Sequence, residues 1–172
     1  PGVFLQAAEV LRRQLFAYCI DDWVSTLGNV TALPEKTSQA LDATEQTRLD
    51  RFPYILTDHV LKHEQRLFDG FMALLDKDVD DVVSSRLWDY MQGQGEVDGL
   101  RSRLMKALEE LVEERRTYKR RKDELDMAKA RVQQKPQDDA TRNEIDNLLR
   151  ERDKMLELIK EIQQKAMAAG LY

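Results

Sequence analysis

"QKPQDD", residues 134–139, is the stretch that decides the fold of this chain. Pro136 cannot continue a helix, because its ring removes a backbone donor and clashes with the preceding turn. Asp138, Asp139 or Thr141 can then cap a new helix by accepting hydrogen bonds from its first free amides. The stretch therefore predicts a turn that separates two helices.

Apolar residues recur at coiled-coil spacing on both sides of this turn. Before the turn, an apolar or aromatic residue recurs at every seventh position: Leu104, Leu111, Tyr118, Leu125 and Val132. After it, apolar residues follow in steps of three and four: Ile145, Leu148, Met155, Ile159 and Ile162, then Ala166 and Ala169. Both patterns are typical of a helix that packs along another helix.

The two series match if the chain folds back at Pro136, since paired residue numbers then add to about 273. Val132 faces Thr141 in this register, and Leu125 faces Leu148. We therefore predict an antiparallel coiled-coil αα-hairpin over residues 100–172.

Residues 1–92 predict a small bundle of helices, at 3–27, 35–51, 54–75 and 78–92. The helix at 35–51 has few residues to bury: Ala40, Leu41, Ala43 and Leu49. The next two helices have broader apolar faces: Ile55, Leu61, Phe68, Phe71, Met72 and Leu75 in the first, and Val79, Val82, Val83, Leu87 and Met91 in the second. "GQGEVDG", residues 93–99, has three glycines in seven positions and predicts a hinge between bundle and hairpin.

The composition favours an all-α protein. Of 172 residues, 42% are hydrophobic and 34% charged, with only seven Gly and four Pro to make turns. The single cysteine, Cys19, cannot form an intramolecular disulfide, so we expect an intracellular location, in the cytoplasm or the nucleus. The sequence opens on "PGVFLQ", and we expect it to be a piece of a longer protein.

"RRTYKRRK", residues 115–122, contains six cations in eight positions: Arg115, Arg116, Lys119, Arg120, Arg121 and Lys122. We predict that this basic run is an ion-paired helix flank, because acids lie three to four residues away and on the opposing helix. A second interpretation is that the basic run contacts an anionic protein surface, a phosphate group or lipid headgroups.

Two long helices joined by a Lys-Pro turn, with a basic run near the middle of the first, resemble the hairpin arm of BAR-type membrane-curving dimers. The resemblance covers about 70 residues and implies binding to anionic lipid through residues 115–122. The net charge of −5 argues against an anionic bilayer as the partner.

Residues that would support catalysis or metal binding are sparse. His59 and His63 have the i, i+4 spacing of a helical metal pair, but they are the only histidines, and we expect both to be solvated. "DKDVDD", residues 76–81, lacks the glycine and the final glutamate of a calcium loop. We therefore expect no catalytic, cofactor-binding or metal-binding residues.

These observations predict a non-enzymatic scaffold or adaptor that assembles with other protein subunits, as a homo- or hetero-oligomer. Residues 35–51 have few residues to bury, and the seam positions that follow Leu108 in α-helical spacing are charged: Arg115, Lys122 and Lys129. Both regions are therefore poorly buried by this chain alone, and we expect partners to complete them. A small-molecule substrate is not expected. Nucleic acid is disfavoured because only Tyr118 interleaves with the cations. The membrane-associated module is the alternative.

Overall fold

The computed structural model describes residues 2–27, 33–75, 79–93 and 99–168, except for the side chains of residues 2–6, 27, 163 and 166–168. Within these ranges the chain forms seven α-helices and no β-strand, which confirms the all-α class. The helices are α1 (Gly2–Leu27), α2 (Thr37–Glu45), α3 (Tyr54–Lys62), α4 (Glu64–Leu74), α5 (Asp81–Gln92), α6 (Leu100–Val132) and α7 (Asp139–Ala168). None of these described helices is both long enough and apolar enough to cross a bilayer.

The chain divides into two compact units, Pro1–Glu109 and Glu110–Tyr172. The division lies within α6, so the first turns of this helix pack with the N-terminal unit. We predicted the division at the glycine segment 93–99. Residues 94–98 of that segment lie outside the described residues, and the hinge stays a prediction.

The central helix of the N-terminal unit is α1, which contacts α3, α4 and α5. Leu15, Cys19 and Trp23 follow at intervals of four and are buried, so they form one stripe along the helix. Burial of a large apolar side chain contributes about 1.5–3 kcal/mol. Gly70 of α4 lies against Tyr18, where an added Cβ would stand 2.2 Å from the tyrosine Oη. The glycine therefore leaves room for the hydroxyl end of the Tyr18 side chain between α1 and α4.

The helix predicted at 35–51 is α2, which is shorter and better buried than we expected. Ala40, Leu41 and Ala43 are at most 4% exposed, and Thr37 and Thr44 are buried with them. Leu49 lies beyond the end of the helix and is 70% exposed. The expectation that the chain alone buries this helix poorly was therefore wrong, because these side chains are covered without a partner.

The helix predicted at 54–75 is two helices, which meet at His63. The backbone of His63 leaves the helical region, with φ −122° and ψ 22°, and this residue ends α3 and precedes α4. The predicted apolar face was only partly correct, since Phe71 is the one predicted member that is buried. The buried residues are Leu56, Val60, Leu67 and Phe71, whereas Leu61 is 49% exposed.

The last helix of the bundle, α5, begins at Asp81, not at residue 78; residues 76–78 lie outside the described ranges. Asp80 caps this helix, since its carboxylate accepts a hydrogen bond from the amide of Val82 at 3.1 Å. Leu87 and Met91 are buried as predicted, but Val82 is 51% exposed.

The described ends of the glycine segment lie against each other. Gly93 ends α5 in the left-handed region, with φ +77°, which glycine adopts without strain. A Cβ added to Gly99 would stand 2.3 Å from the Cα of Gly93. Both positions therefore require glycine, one for its backbone conformation and the other for close packing.

Candidate functional site

The turn between α6 and α7 is closed by its own polar side chains. Asp138 accepts a hydrogen bond from the amide of Thr141 at 2.8 Å, and this bond lowers the pKa of the Asp138 carboxyl. Gln137 donates to the carbonyl of Lys135 at 2.9 Å. The cap is one of the three that the sequence offered, and Pro136 lies in the turn as predicted.

The two helices run antiparallel, as the sequence predicts. Arg121 lies 2.6 Å from Glu151, one residue from its predicted opposite position, and Arg152 lies 2.6 Å from Asp126. Lys165 binds Glu114, and Lys135 lies 4.0 Å from Glu144. In three of these four ion pairs, the α7 residue lies closer to the C-terminus than the residue predicted to lie opposite. The observed register is therefore shifted toward the C-terminus of α7.

The predicted seam residues differ in burial. Leu125, Val132 and Ile162 are at most 5% exposed. Leu104 is also buried, but it belongs to the N-terminal unit. The remaining seam residues are half-buried: Leu111, Tyr118, Ile145, Leu148, Met155 and Ile159.

Two further residues of α6 are buried. Val112 is 5% exposed and takes the place that we assigned to Leu111. Arg115 is also 5% exposed, at the seam position that its spacing from Leu108 and Lys122 gives it. Its burial leaves little of the side chain for an anionic partner, which was the second interpretation of the basic run.

Most of the remaining cations in the basic run have acidic neighbours within the hairpin. Arg116 lies 2.7 Å from Glu113, and Lys122 lies 3.4 Å from Asp126. Arg121 binds Glu151, and this hydrogen bond raises the pKa of the guanidinium. Exposed pairs of this kind contribute about 0–1 kcal/mol each.

Lys119 and Arg120 differ from the rest of the basic run. Both are exposed, and neither forms an ion pair with any residue that the structure describes. Their charges therefore remain available to an anionic group from outside the chain.

The ion pair between Lys165 and Glu114 lies nearer the open end of the hairpin and includes a third side chain. Glu114 accepts hydrogen bonds from Lys165 and from the hydroxyl of Tyr118, the latter at 3.0 Å. The Lys165 ammonium lowers the pKa of the Glu114 carboxyl, and the bond to Glu114 raises the pKa of Tyr118. The hydroxyl of Tyr118 therefore shares the carboxylate of Glu114 with Lys165 of the opposite helix.

The histidine pair belongs to an ion-paired cluster in the N-terminal unit. We expected His59 to be solvated, and this was wrong. Its side chain is 10% exposed, and its Nε2 lies 2.8 Å from the carboxylate of Asp22. Arg66 donates to both oxygens of the same carboxylate, at 2.8 and 2.9 Å. The ring of His63 lies 4.8 Å from that of His59.

The cluster connects three helices through one carboxylate. Among the described residues no group of three histidine, cysteine, aspartate or glutamate side chains is placed to hold a metal ion. The hydrogen bonds from Arg66 are the main cause that lowers the pKa of Asp22 to about 2, with a further contribution from His59. Asp22 therefore stays ionised and joins α1 to α3 and α4.

No protein-family model, curated protein or solved structure matches this chain. The hairpin surface is the candidate functional site on geometric grounds: it combines a half-buried apolar stripe on α7 with Lys119 and Arg120, the exposed cations of the basic run that form no ion pair with a described residue.

Proposed function

We propose that this chain is a non-enzymatic scaffold or adaptor, which assembles with other protein subunits through the α7 side of its hairpin. The observation that carries the proposal is the incomplete burial of α7. Along this helix Leu148, Leu149, Met155, Leu156 and Ile159 are all half-buried. An apolar face this wide exceeds what one neighbouring helix covers, and a further helix would bury the remainder.

The chain buries α2 by itself, so the expected contact surface is on the hairpin alone. A second copy of the chain or a different subunit can fill this role. The buried free thiol of Cys19 supports a cytoplasmic or nuclear location.

The alternative, a membrane-associated module, is favoured by Lys119 and Arg120. Each cation near an anionic bilayer contributes about 1 kcal/mol, so two contribute about 2 kcal/mol. Micromolar affinity requires about 8 kcal/mol. We therefore place a protein partner ahead of a lipid surface.

The absolute mass of the chain in solution tests the proposal, measured by light scattering between about 10 and 100 μM, alone and with captured partners. We expect the parent chain to form a dimer or a larger complex. Leu156→Glu is expected to dissociate this assembly, because a charge at a buried interface is costly. Leu74→Glu is the control, since Leu74 is 73% exposed on α4. A monomer that captures no partner, or an assembly that tolerates Leu156→Glu, would overturn the proposal.

A further inference from the structure

One side of the hairpin combines unpaired cations with incompletely buried leucines. We name this surface the Lys–Leu groove and define it by Lys119 of α6 and Leu149, Leu156 and Lys160 of α7. Both lysines are exposed, and both leucines are half-buried. Neither lysine forms an ion pair with any residue in the described part of the chain.

The ion pair between Asp126 and Arg152 places these residues on one side. Leu149 and Leu156 lie three residues before and four after Arg152, so they occupy the same flank of α7. Lys119 lies seven residues before Asp126 and shares its flank of α6.

The antiparallel direction then brings the two lysines to the same level. On α6, seven residues toward the start of the helix lead from Asp126 to Lys119. On α7, the matching seven residues toward the end of the helix lead from Arg152 to the position next to Lys160. The opposite flank of the hairpin differs, because the cations there are already paired: Arg121 with Glu151, and Lys165 with Glu114.

We propose that the Lys–Leu groove binds an acidic amphipathic helix of a partner protein. The two leucines are about 10 Å apart along α7, which matches apolar residues seven apart on an incoming helix. Carboxylates of the incoming helix, placed one turn beyond its apolar residues, would then meet Lys119 and Lys160. The acids on this flank already have partners, Asp153 with Arg152 at 4.0 Å and Asp123 with Lys122 at 3.8 Å. The two lysines are therefore the uncompensated charges, and they favour an acidic helix over a basic one. The inference rests on the proposed function and names the chemistry of its partner.

The probe is a synthetic peptide of four heptads, with leucine at the a and d positions and glutamate on the flanks, and its counterpart is the same peptide with lysine on the flanks. Binding of each labelled peptide to the full chain is measured by fluorescence anisotropy at low and moderate salt. We expect the acidic peptide to bind, and to bind more weakly as salt rises. The lysine peptide is expected to bind at least about tenfold more weakly.

A pair of charge variants tests whether the groove is the site. We expect K119E/K160E to weaken binding of the acidic peptide by about tenfold or more, with helical content unchanged by circular dichroism. The matched control is R131E/K154E, which reverses two exposed cations without ion pairs on other faces of the same two helices. The control is expected to change affinity by less than about threefold.

The inference is overturned if the acidic peptide does not bind, or if the two double variants weaken its binding equally. It is also overturned if vesicles of phosphatidylserine and phosphatidylcholine bind through Lys119 and Lys160 while the peptide does not. Assembly that depends on Leu156 without peptide binding would reject this partner chemistry and leave the proposed function in place.

Discussion

Asp22 shows how a single side chain joins three helices of the N-terminal unit. Its carboxylate binds His59 of α3 and both terminal nitrogens of Arg66 in α4. The side chain is 21% exposed, so these bonds are only partly screened by solvent. Bidentate charge-assisted hydrogen bonds of this kind are stronger than ordinary surface pairs.

We predict that Asp22→Asn lowers the free energy of unfolding at pH 7 by about 1–2 kcal/mol, since the change removes the charge and leaves the shape. Because the pKa of Asp22 is lowered to about 2 in the folded chain, its contribution is present above about pH 4 and is lost as the pH falls toward 2. Urea unfolding at pH 7 and near pH 2.5 measures the difference between variant and parent. Asp58→Asn is the control, since Asp58 forms a single ion pair among the described residues, with exposed Lys62. Equal effects of the two variants would contradict the prediction.

Cys19 is fully buried, and burial raises the pKa of its thiol to about 12. We therefore predict that a thiol reagent such as DTNB reacts with the native chain at least about a hundredfold more slowly than with the urea-unfolded chain. The absorbance of the released thiolate follows the rate. Comparable rates in the two states would show that the core stripe of α1 is open to solvent.

At the scale of helices, the hairpin was predictable because several independent signals agreed. Pro136, the cap at Asp138 and the heptads on both sides require the same turn and the same direction. The register was less well determined, because Arg152, Lys165 and Lys135 have long side chains that reach acids more than one turn from their predicted opposite positions. The spacing of Arg115 from Leu108 placed it at the seam despite its charge, since the alkyl stem of an arginine can cover apolar surface.

The bundle was less predictable because its apolar residues fit more than one face. In 54–75 the chain has Ile55 beside Leu56 and Leu67 beside Phe68, so two adjoining stripes have helical spacing. The break at His63 has no proline or glycine next to it to signal it. Thr37 and Thr44 were missed because polar side chains of this size give no hydrophobic signal.

Ile162 tests the packing of α7 on α6. Its side chain is 0% exposed, and we predict that Ile162→Ala lowers the free energy of unfolding by about 2–4 kcal/mol. Met127→Ala is the matched control in the same unit, because Met127 is 65% exposed, and we expect a change below about 0.5 kcal/mol. Urea unfolding followed by circular dichroism measures both, and a cost for Ile162→Ala no larger than the control would contradict the packing.

At the scale of the whole chain, the two compact units predict that local defects stay local. We expect Ile162→Ala to increase amide hydrogen exchange in residues 110–168, and Asp22→Asn to increase it in α1, α3 and α4. Mass spectrometry of peptic fragments separates these regions. Equal increases throughout the chain from either variant would show that the units unfold together.

The central claim is that α6 and α7 fold back on each other at Pro136. Spin labels at Arg120 and Arg150, in a chain with Cys19 replaced by alanine and diluted with unlabelled protein, give their distance by double electron–electron resonance. Both positions are exposed and form no ion pair among the described residues. The hairpin predicts a distance below about 30 Å, since packed helices lie 8–10 Å apart and the labels add to this. A distance near 45 Å, as in one continuous helix, would contradict the account.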